Sequence, residues 1–399
     1  MNTTTPQPLV ETALYVDTPI YTALRQIAPY FEYGIFDARN MPVFIKKRPV
    51  VTAQRVFTSL PKEINIRSLS SSRVPLKAGG VVYYPFNSQS NMNAVTHRQY
   101  RHVLTLHGES HKMASARPAA RMYDYVCVAG PAAIDRYLDH KIFTAQEADQ
   151  GRLIQVGDSF VQRYPWLKPE TGPDAEDGVL FWCPTWEGYD GKRNNYSSVS
   201  KGIGFDVAAR AARAIGTERI VVKPHPYMGM LRPLMWRYFI SGIRRLETEG
   251  FDVSLVLNDT PTPLQYMLRV ALPRTRRRDK DVNNPIPVRL GLTDISGMEA
   301  ALLVAHIPTM TIALTPQNLP EYLRDIYDKK TLVADDDIEE RVRSYRDAAV
   351  ALDTRHRSCM FGYQDPSLQQ MSGPERFRWL TEYAHSDPFW QGAARRDGH

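Results

Sequence analysis

The stretch "VLTLHGESHK" (residues 103–112) begins as an apolar strand and breaks off at a histidine and a glycine. The same change recurs where "LFWC" runs into "PTWEG", "IVVK" into "PHP" and "LGL" into "TDISG". Stretches with helical spacing lie between the strands. In "PLMWRYFISGIRRLETEG", for example, Met235, Phe239, Ile243 and Leu246 share one face. Strands that alternate with helices predict parallel βαβ units and therefore an α/β fold.

The chain has 399 residues, which is too long for one ordinary hydrophobic core. A polar segment rich in glycine, proline and aspartate, "KPETGPDAEDG", separates two α/β blocks and is the best linker candidate. We predict a doubly wound domain over residues 1–170, which includes a strand at "PVVTAQRVF" (49–57). A second doubly wound domain is predicted over 171–350. A helical tail over 351–399 is expected to cross back over the junction.

The net charge and the composition limit the kinds of partner that the protein can bind. The net charge is +7 and the isoelectric point is about 9.1, which indicates an anionic partner. No nucleic-acid module or aromatic-basic pattern is present, so we expect no nucleic acid. The densest basic run, "PRTRRRDK" (273–280), is typical of a solvated loop, and an acidic membrane surface fits it as well. Three widely spaced cysteines and the lack of a signal-like start predict a cytoplasmic protein.

Ligands of open parallel sheets bind beyond the carboxyl ends of the strands, so we predict a site in a cleft between the two domains. His107 can serve as a proton acceptor, or it can be a loop histidine whose hydrogen bonds are made with the backbone. Gly108 lets the backbone approach a ligand closely or take a positive φ, and Lys112 supplies a cation for a phosphate. Two prolines fix the backbone on both sides of His225, which suits a positioned imidazole.

Ser296 and Gly297 stand before an apolar helix and predict an N-cap, and a helix N-terminus can also bind an anion. A zinc site at "HGESH" is not expected, because Gly108 stands where zincins carry glutamate. Cys183 ends an apolar strand and is predicted to be core. No Walker or dinucleotide-binding glycine pattern occurs.

Seven segments, in order, resemble the CDP-glycerol glycerophosphotransferase family, which comprises teichoic acid primases and polymerases and related capsule enzymes. They span residues 100–315 and read "LHGESHK", "YVCVAGPAAIDRY", "IQVGDSF", "CPTWEG", "VVKPHP", "TPTPLQYM" and "LTDISG". The resemblance implies a GT-B fold of two Rossmann-like domains facing a cleft. It also implies that a polyol phosphate is transferred from a CDP-activated donor to a hydroxyl, with release of CMP.

Residue roles follow from the same resemblance. His107 holds the place of the proposed base, His225 is expected near the donor pyrophosphate, and Asp294 to Ser296 should contact the phosphates or the ribose. We also expect Thr185, which follows the strand "LFWC", Lys223, which ends the strand "IVVK", and Gly297 to bind the donor. The family usually has a second serine where this chain has Gly297. No cofactor or metal is expected, since the cytidine-activated donor is a substrate.

The acceptor implied by the family is a lipid-linked or polyanionic polymer of the cell wall or capsule. The protein should therefore attach peripherally to the inner face of the membrane. Two other functions remain open. A GT-B glycosyltransferase using a CMP-sugar, with sialic acid or Kdo, would use Glu187 in place of His107 as the base. A non-catalytic relative would only bind a nucleotide or a polysaccharide.

Overall fold

The computed structural model describes residues 10–18, 23–46, 63–112, 115–171, 177–188, 196–257, 263–314, 319–388 and 390. The strand predicted at 49–57 lies outside these residues. The chain divides into two compact units. Unit 1 contains the described residues of 1–109, 116–160 and 360–399, and unit 2 contains those of 110–115 and 161–359. After the short excursion at 110–115, the chain therefore passes into unit 2 at residue 161 and returns to unit 1 at residue 360.

Unit 1 is built on a seven-stranded sheet in the order β3-β2-β1-β4-β5-β6-β7, with every recorded pairing parallel. The strands are β1 (Val10–Val16), β2 (Val43–Lys46), β3 (Ile66–Leu69), β4 (Leu76–Tyr84), β5 (Arg101–Leu104), β6 (Tyr125–Val128) and β7 (Leu153–Gln155). The order reverses at β1, because the chain first adds strands on one side of β1 and then on the other. That reversal makes the carboxyl ends of β1, β4 and β5 neighbours.

Helices cover the sheet of unit 1. They are α1 (Ala23–Glu32), α2 (Met92–Val95), α3 (Pro131–Asp139) and α4 (Ala145–Asp149), followed after the return of the chain by α11 (Pro366–Gln370) and α12 (Gly373–Ser386). Phe377, Leu380 and Ala384 of α12 belong to the same buried cluster as the strands. The Tyr83 and Thr381 hydroxyls are 2.6 Å apart and hydrogen-bond β4 to α12. The C-terminal helix is therefore part of the core of unit 1.

Unit 2 repeats the plan with eight strands. They are β8 (Leu167–Pro169), β9 (Val179–Cys183), β10 (Arg219–Val222), β11 (Asp252–Leu255), β12 (Arg276–Arg277), β13 (Ile286–Asp294), β14 (Thr309–Ile312) and β15 (Thr331–Leu332). The order is β12-β11-β10-β9-β13-β14-β15, with β8 beside β13. All recorded pairings are again parallel. Here the order reverses at β9. The predicted fold class, an α/β fold with two doubly wound parallel sheets, is confirmed.

The helices of unit 2 are α5 (Ile203–Ala214), α6 (Leu234–Thr248), α7 (Pro263–Ala271), α8 (Gly297–Val304), α9 (Arg324–Lys330) and α10 (Ile338–Phe361), whose last residues belong to unit 1. The predicted apolar face of α6 is confirmed, since Met235, Phe239, Ile243 and Leu246 are all buried. Cys183 is buried as predicted, and burial raises the pKa of its thiol to about 12. Among the described residues no helix is long and apolar enough to cross a bilayer.

The basic run is only partly a solvated loop. Arg276 and Arg277 form the edge strand β12. The Arg277 guanidinium donates to the carbonyls of Leu268 (3.1 Å) and Leu272 (3.0 Å) in and just after α7. Arg276 pairs with Asp252 at 3.2 Å. Arg276 and Arg277 therefore help to hold this edge of unit 2 together.

Candidate active site

His107 follows β5 at the carboxyl edge of unit 1. Its Nδ1 lies 2.8 Å from the Pro85 carbonyl, which can only accept, so Nδ1 carries the proton and Nε2 keeps its lone pair. The ring packs on Phe86 with centroids 4.5 Å apart. Desolvation lowers the pKa of His107, against the opposing effect of the Pro85 hydrogen bond. A neutral imidazole with a free Nε2 is the form that a general base requires.

The backbone around His107 is held firmly. Leu106 has φ +62°, which is uncommon for a residue other than glycine. The Tyr30 hydroxyl donates to the carbonyls of Leu106 (2.5 Å) and Thr105 (3.1 Å). Glu109 forms a fully buried ion pair with Arg136 of α3. Local strain that the surrounding structure fixes in place is typical of functional segments.

The "HGESHK" segment divides between the two units after Glu109, so His111 and Lys112 belong to unit 2. Nδ1 of His111 lies 2.9 Å from the Tyr322 hydroxyl, which gives this histidine a structural partner. His102, by contrast, is a core residue of unit 1. Burial lowers its pKa to about 3, and it bonds to Tyr84 at 2.8 Å. Of these three histidines, His107 is the one that follows a strand at the carboxyl edge of unit 1.

Lys112, Thr185 and Asp294 form a connected cluster in unit 2. Nζ of Lys112 donates to Oγ1 of Thr185 at 2.8 Å. Thr185, which follows β9, donates its backbone N–H to Oδ2 of Asp294 at 2.6 Å, and Ser198 donates its N–H to the same oxygen at 3.1 Å. Oδ1 of Asp294 is buried and has no hydrogen-bond partner in the described part of the protein. The predicted donor-binding residues from two neighbouring strands are thus brought together.

Burial perturbs the charges of this cluster. It raises the pKa of Asp294 to about 7, although the hydrogen bonds from Ser198 and Thr185 and the nearby Lys112 favour the ionised form. Desolvation lowers the pKa of Lys112 to about 8, and Asp294 partly offsets that shift. Both groups therefore titrate near neutral pH. Such displaced titrations are concentrated at functional sites.

Lys223 and His225 follow β10, which pairs with β9. Nδ1 of His225 accepts from the Tyr227 N–H at 3.1 Å, so a neutral ring carries its proton on Nε2. The ring stacks on Trp186 with centroids 5.8 Å apart and planes at 14°. Desolvation, together with Lys112 and Lys223, lowers the pKa of His225 well below its usual value. His225 is therefore held as a neutral hydrogen-bond donor.

Glu187 has a structural role in its loop. Its carboxylate is fully buried and accepts three backbone N–H groups: Gly229 at 2.9 Å, Leu231 at 3.0 Å and Arg232 at 2.9 Å. Gly229 has φ +78°, and a Cβ there would lie 2.1 Å from Trp236. The carboxylate therefore organises the turn that leads into α6.

Ser296 caps α8, as predicted. Its Oγ accepts the Met298 N–H at 3.3 Å, and Gly297 is exposed at the first helical position. The acidic residue of the first turn, Glu299, is buried and bonds to Thr311 (2.8 Å) and Tyr327 (2.6 Å). A Cβ on Gly108 would meet no atom within 4 Å in the described part of the chain, so no close contact there requires that glycine.

Sequence reasoning missed several residues of these two edges. Ser198 bonds to Asp294 from a segment with no strand or helix pattern, and Trp186 has no signal of its own within the motif "PTWEG". Asn87 follows the strand "VVYY" in the same way that His107 follows "VLTL". The rule of a strand followed by a polar residue would therefore have found Asn87.

No known protein-family model matches the chain, and no curated protein is similar to it. Solved structures do match. UGT89C1 of Arabidopsis thaliana, complexed with UDP-L-rhamnose, aligns with a TM-score of 0.50 at 10% identity over 94% of this chain and 99% of that one. The chain has the GT-B fold. HepE of Anabaena, in complex with UDP, aligns with a TM-score of 0.49 at 11% identity over 95% of this chain and 100% of that one.

The wall teichoic acid polymerase TagF, soaked with CDPG, aligns with a TM-score of 0.43 at 9% identity over 96% of this chain and 89% of that one. At these identities the structural likeness establishes the fold alone. The predicted GT-B architecture is confirmed, and the resemblance to CDP-glycerol glycerophosphotransferases stays a prediction.

Proposed function

We propose that this protein is a transferase that moves a polyol phosphate, glycerol phosphate first among them, from a CDP-activated donor to a hydroxyl acceptor. The observation that carries the proposal is the cation-rich edge of unit 2. Four positive groups follow or adjoin β9, β10 and β13, at the point where the strand order reverses. They are Lys112, Lys223, the Nε2–H of His225 and the N-terminus of α8. Ligands of doubly wound sheets bind at such points, and positive groups with helix N-termini suit phosphates.

The chemistry balances with these residues. The acceptor hydroxyl gives its proton to Nε2 of His107, and its oxygen attacks the phosphorus that carries the polyol. The bond from that phosphorus to the bridging oxygen breaks, and CMP leaves with the electron pair. Lys112, Lys223 and His225 stabilise the charge on the leaving phosphate. Oδ1 of Asp294, which is a pure acceptor when ionised, suits a donor hydroxyl such as one of the ribose.

The polymer context is part of the same proposal. A cell-wall or capsule acceptor would be lipid-linked or polyanionic, and the protein would then work at the inner face of the membrane. The basic run from Arg274 to Lys280 would attach it electrostatically, because each cation near an anionic surface contributes about 1 kcal/mol. Sedimentation with anionic liposomes tests this. Binding that persists in about 1 M salt would contradict it.

The CMP-sugar alternative would use the same edge for its nucleotide but would need Glu187 as the base. Three backbone N–H groups occupy the Glu187 carboxylate, which argues for the polyol-phosphate proposal. The binding-only alternative predicts affinity without turnover.

One experiment separates the three functions. The protein is incubated with CDP-glycerol, CDP-ribitol, CMP-sialic acid and CMP-Kdo, and CMP release is followed by chromatography. Release from a CDP-polyol supports the proposal. Release from a CMP-sugar alone supports the glycosyltransferase, and nucleotide binding without release from any donor supports the non-catalytic relative.

A further inference from the structure

We propose that Asn87 binds the acceptor, and that the unit it recognises is a neutral, hydroxylated one such as a polyol or sugar end. The inference rests on the proposed function, because that function is what gives the protein an acceptor substrate. Asn87 lies at the carboxyl edge of unit 1, three residues past the end of β4. Its Oδ1 and Nδ2 are both shielded from solvent, and neither has a hydrogen-bond partner in the described part of the chain. Buried amides are ordinarily satisfied, so this one needs a partner from elsewhere.

Asn87 is presented by the same loop that orients His107. The Pro85 carbonyl accepts the hydrogen bond from Nδ1 of His107, and Phe86 packs on its ring. Asn87 is the next residue. The amide thus comes directly after the two residues that fix the proposed base, in the segment that follows β4, and β4 pairs with β5, the strand before His107.

The loop is built to hold its shape. Nδ2 of Asn91 donates to the Phe86 carbonyl at 2.7 Å and to the Tyr123 hydroxyl at 2.8 Å. The Ser88 N–H donates to the Phe86 carbonyl at 2.8 Å. Oγ of Ser90 donates to the Asp17 carbonyl at 2.9 Å, which ties the loop to the end of β1. In a mobile loop the amide could move to a hydrogen-bond partner within the protein, whereas these hydrogen bonds hold the loop and Asn87 in place.

The chemistry of the surrounding segments selects the ligand class. The described residues that follow β4 and β5 in unit 1, 85–92 and 105–109, contain no lysine or arginine, and Lys46 at the end of β2 donates to the Ser70 carbonyl. An amide both donates and accepts, which matches a hydroxyl, since a hydroxyl does the same. A phosphate only accepts, so it would satisfy Nδ2 and leave Oδ1 unpaired. We therefore infer that the group bound here is neutral and carries neighbouring hydroxyls.

The test uses Asn87→Ala, with the exposed Asn93→Ala of α2 as the matched control. Two reactions of the full-length protein are compared: transfer to the acceptor, and hydrolysis of the donor by water. Asn87→Ala should raise the KM for the acceptor by about tenfold, because hydrogen bonds to the hydroxylated unit are lost. CMP affinity and donor hydrolysis should stay unchanged, and the melting temperature should not fall, since no hydrogen bond of the amide to the described protein is lost.

An unchanged acceptor KM in Asn87→Ala would overturn the inference. So would an equal fall in transfer and hydrolysis together with a lower melting temperature, which would mark a structural residue. Asn87→Asp, which keeps the shape and loses the donor, should show a raised KM of the same order.

The inference can fail separately from the proposed function. If the wild-type protein turns over no cytidine donor, the proposed function fails, and Asn87 is tested by binding alone. Saturation-transfer NMR with ribitol and methyl glucoside should then show contact with the wild-type protein, and weaker contact with Asn87→Ala but not with Asn93→Ala. Tighter binding of glycerol 3-phosphate than of ribitol, or equal signals from all three proteins, would contradict the neutral acceptor.

Discussion

The carboxyl edges of the two units hold their histidines in opposite tautomers. In unit 1, Nδ1 of His107 donates to a backbone carbonyl and leaves Nε2 as an acceptor. In unit 2, Nδ1 of His225 accepts a backbone N–H and leaves Nε2–H as a donor. One backbone partner decides whether the same side chain takes a proton or gives a hydrogen bond.

The edges differ in charge as well. Lys112 and Lys223 adjoin the strands of unit 2, whereas residues 85–92 and 105–109, which follow β4 and β5 in unit 1, contain no lysine or arginine. Both sheets reverse their strand order at the corresponding place. The repeated fold thus supplies two equivalent positions, and the loops give one a histidine with an amide and the other a set of cations. Function follows from the loops rather than from the fold.

The largest effect should come from His107→Ala. Turnover should fall by about 10²–10⁴, the usual contribution of a general base, because alanine offers no group in place of Nε2. CMP affinity should stay the same, since the residues proposed to bind the donor belong to unit 2 and His107 belongs to unit 1. Steady-state kinetics with a CDP-polyol and calorimetry with CMP measure the two quantities. The exposed His140→Ala is the control, and a loss of CMP affinity in His107→Ala would break the division between the edges.

Glu187→Ala should lower the free energy of unfolding by about 3 kcal/mol, because one buried and two partly buried N–H groups lose their acceptor. Turnover of the remaining folded protein should change far less than in His107→Ala. Denaturant unfolding, with the exposed Glu218→Ala as control, measures the loss. A fully stable Glu187→Ala protein without turnover would instead make this carboxylate the base of a CMP-sugar transferase.

Lys112→Met should weaken CMP binding by about tenfold at neutral pH, as expected for the loss of a charge-assisted contact. The wild-type affinity should also fall as pH rises through about 8, since desolvation brings the pKa of Lys112 to about 8 and the neutral amine attracts phosphate weakly. Calorimetry across that pH range tests both points. The exposed Lys329→Met should behave as wild type. If the CMP affinity of Lys112→Met fell by the same amount at alkaline pH, Lys112 would not be the source of the pH dependence.

The sequence predicts the parts of the site that depend on local pattern. β9, β10 and β13 are apolar runs that end in polar residues, and this pattern alone places Thr185, His225 and Asp294 at one edge of a sheet. β1, β2 and β3 lack such a signal, since their apolar runs are short and charged residues such as Glu11 and Arg67 interrupt two of them. β12 has the composition of a solvated loop, because both of its residues are arginines.

Long-range contacts have no such local signal. The tautomer of His107 depends on Pro85, 22 residues away, and the pairing of Thr185 with Asp294 spans 109 residues. The three N–H donors of Glu187 lie 42 to 45 residues along the chain. Its role as a structural anchor therefore cannot be predicted from its neighbours in sequence. The motif "HGESHK" resembles one continuous site, and the division between units after Glu109 depends on packing that no short pattern encodes.

The smallest expected effect comes from a comparison of two helix N-caps. Ser296 caps α8 at the cation-rich edge, and Ser372 caps α12 in unit 1 by accepting the Glu375 N–H at 3.4 Å. Each serine-to-alanine variant should lose about 1 kcal/mol of stability, the usual contribution of an N-cap. If the α8 terminus binds phosphate, Ser296→Ala should also weaken CMP binding by about threefold to tenfold through the lost hydroxyl contact, whereas Ser372→Ala should not. Thermal unfolding with and without CMP measures both quantities in one series. Equal ligand-induced shifts in the two variants would show that Ser296 is a cap alone, and the donor phosphate would then be held by Lys112, Lys223 and His225 without the helix.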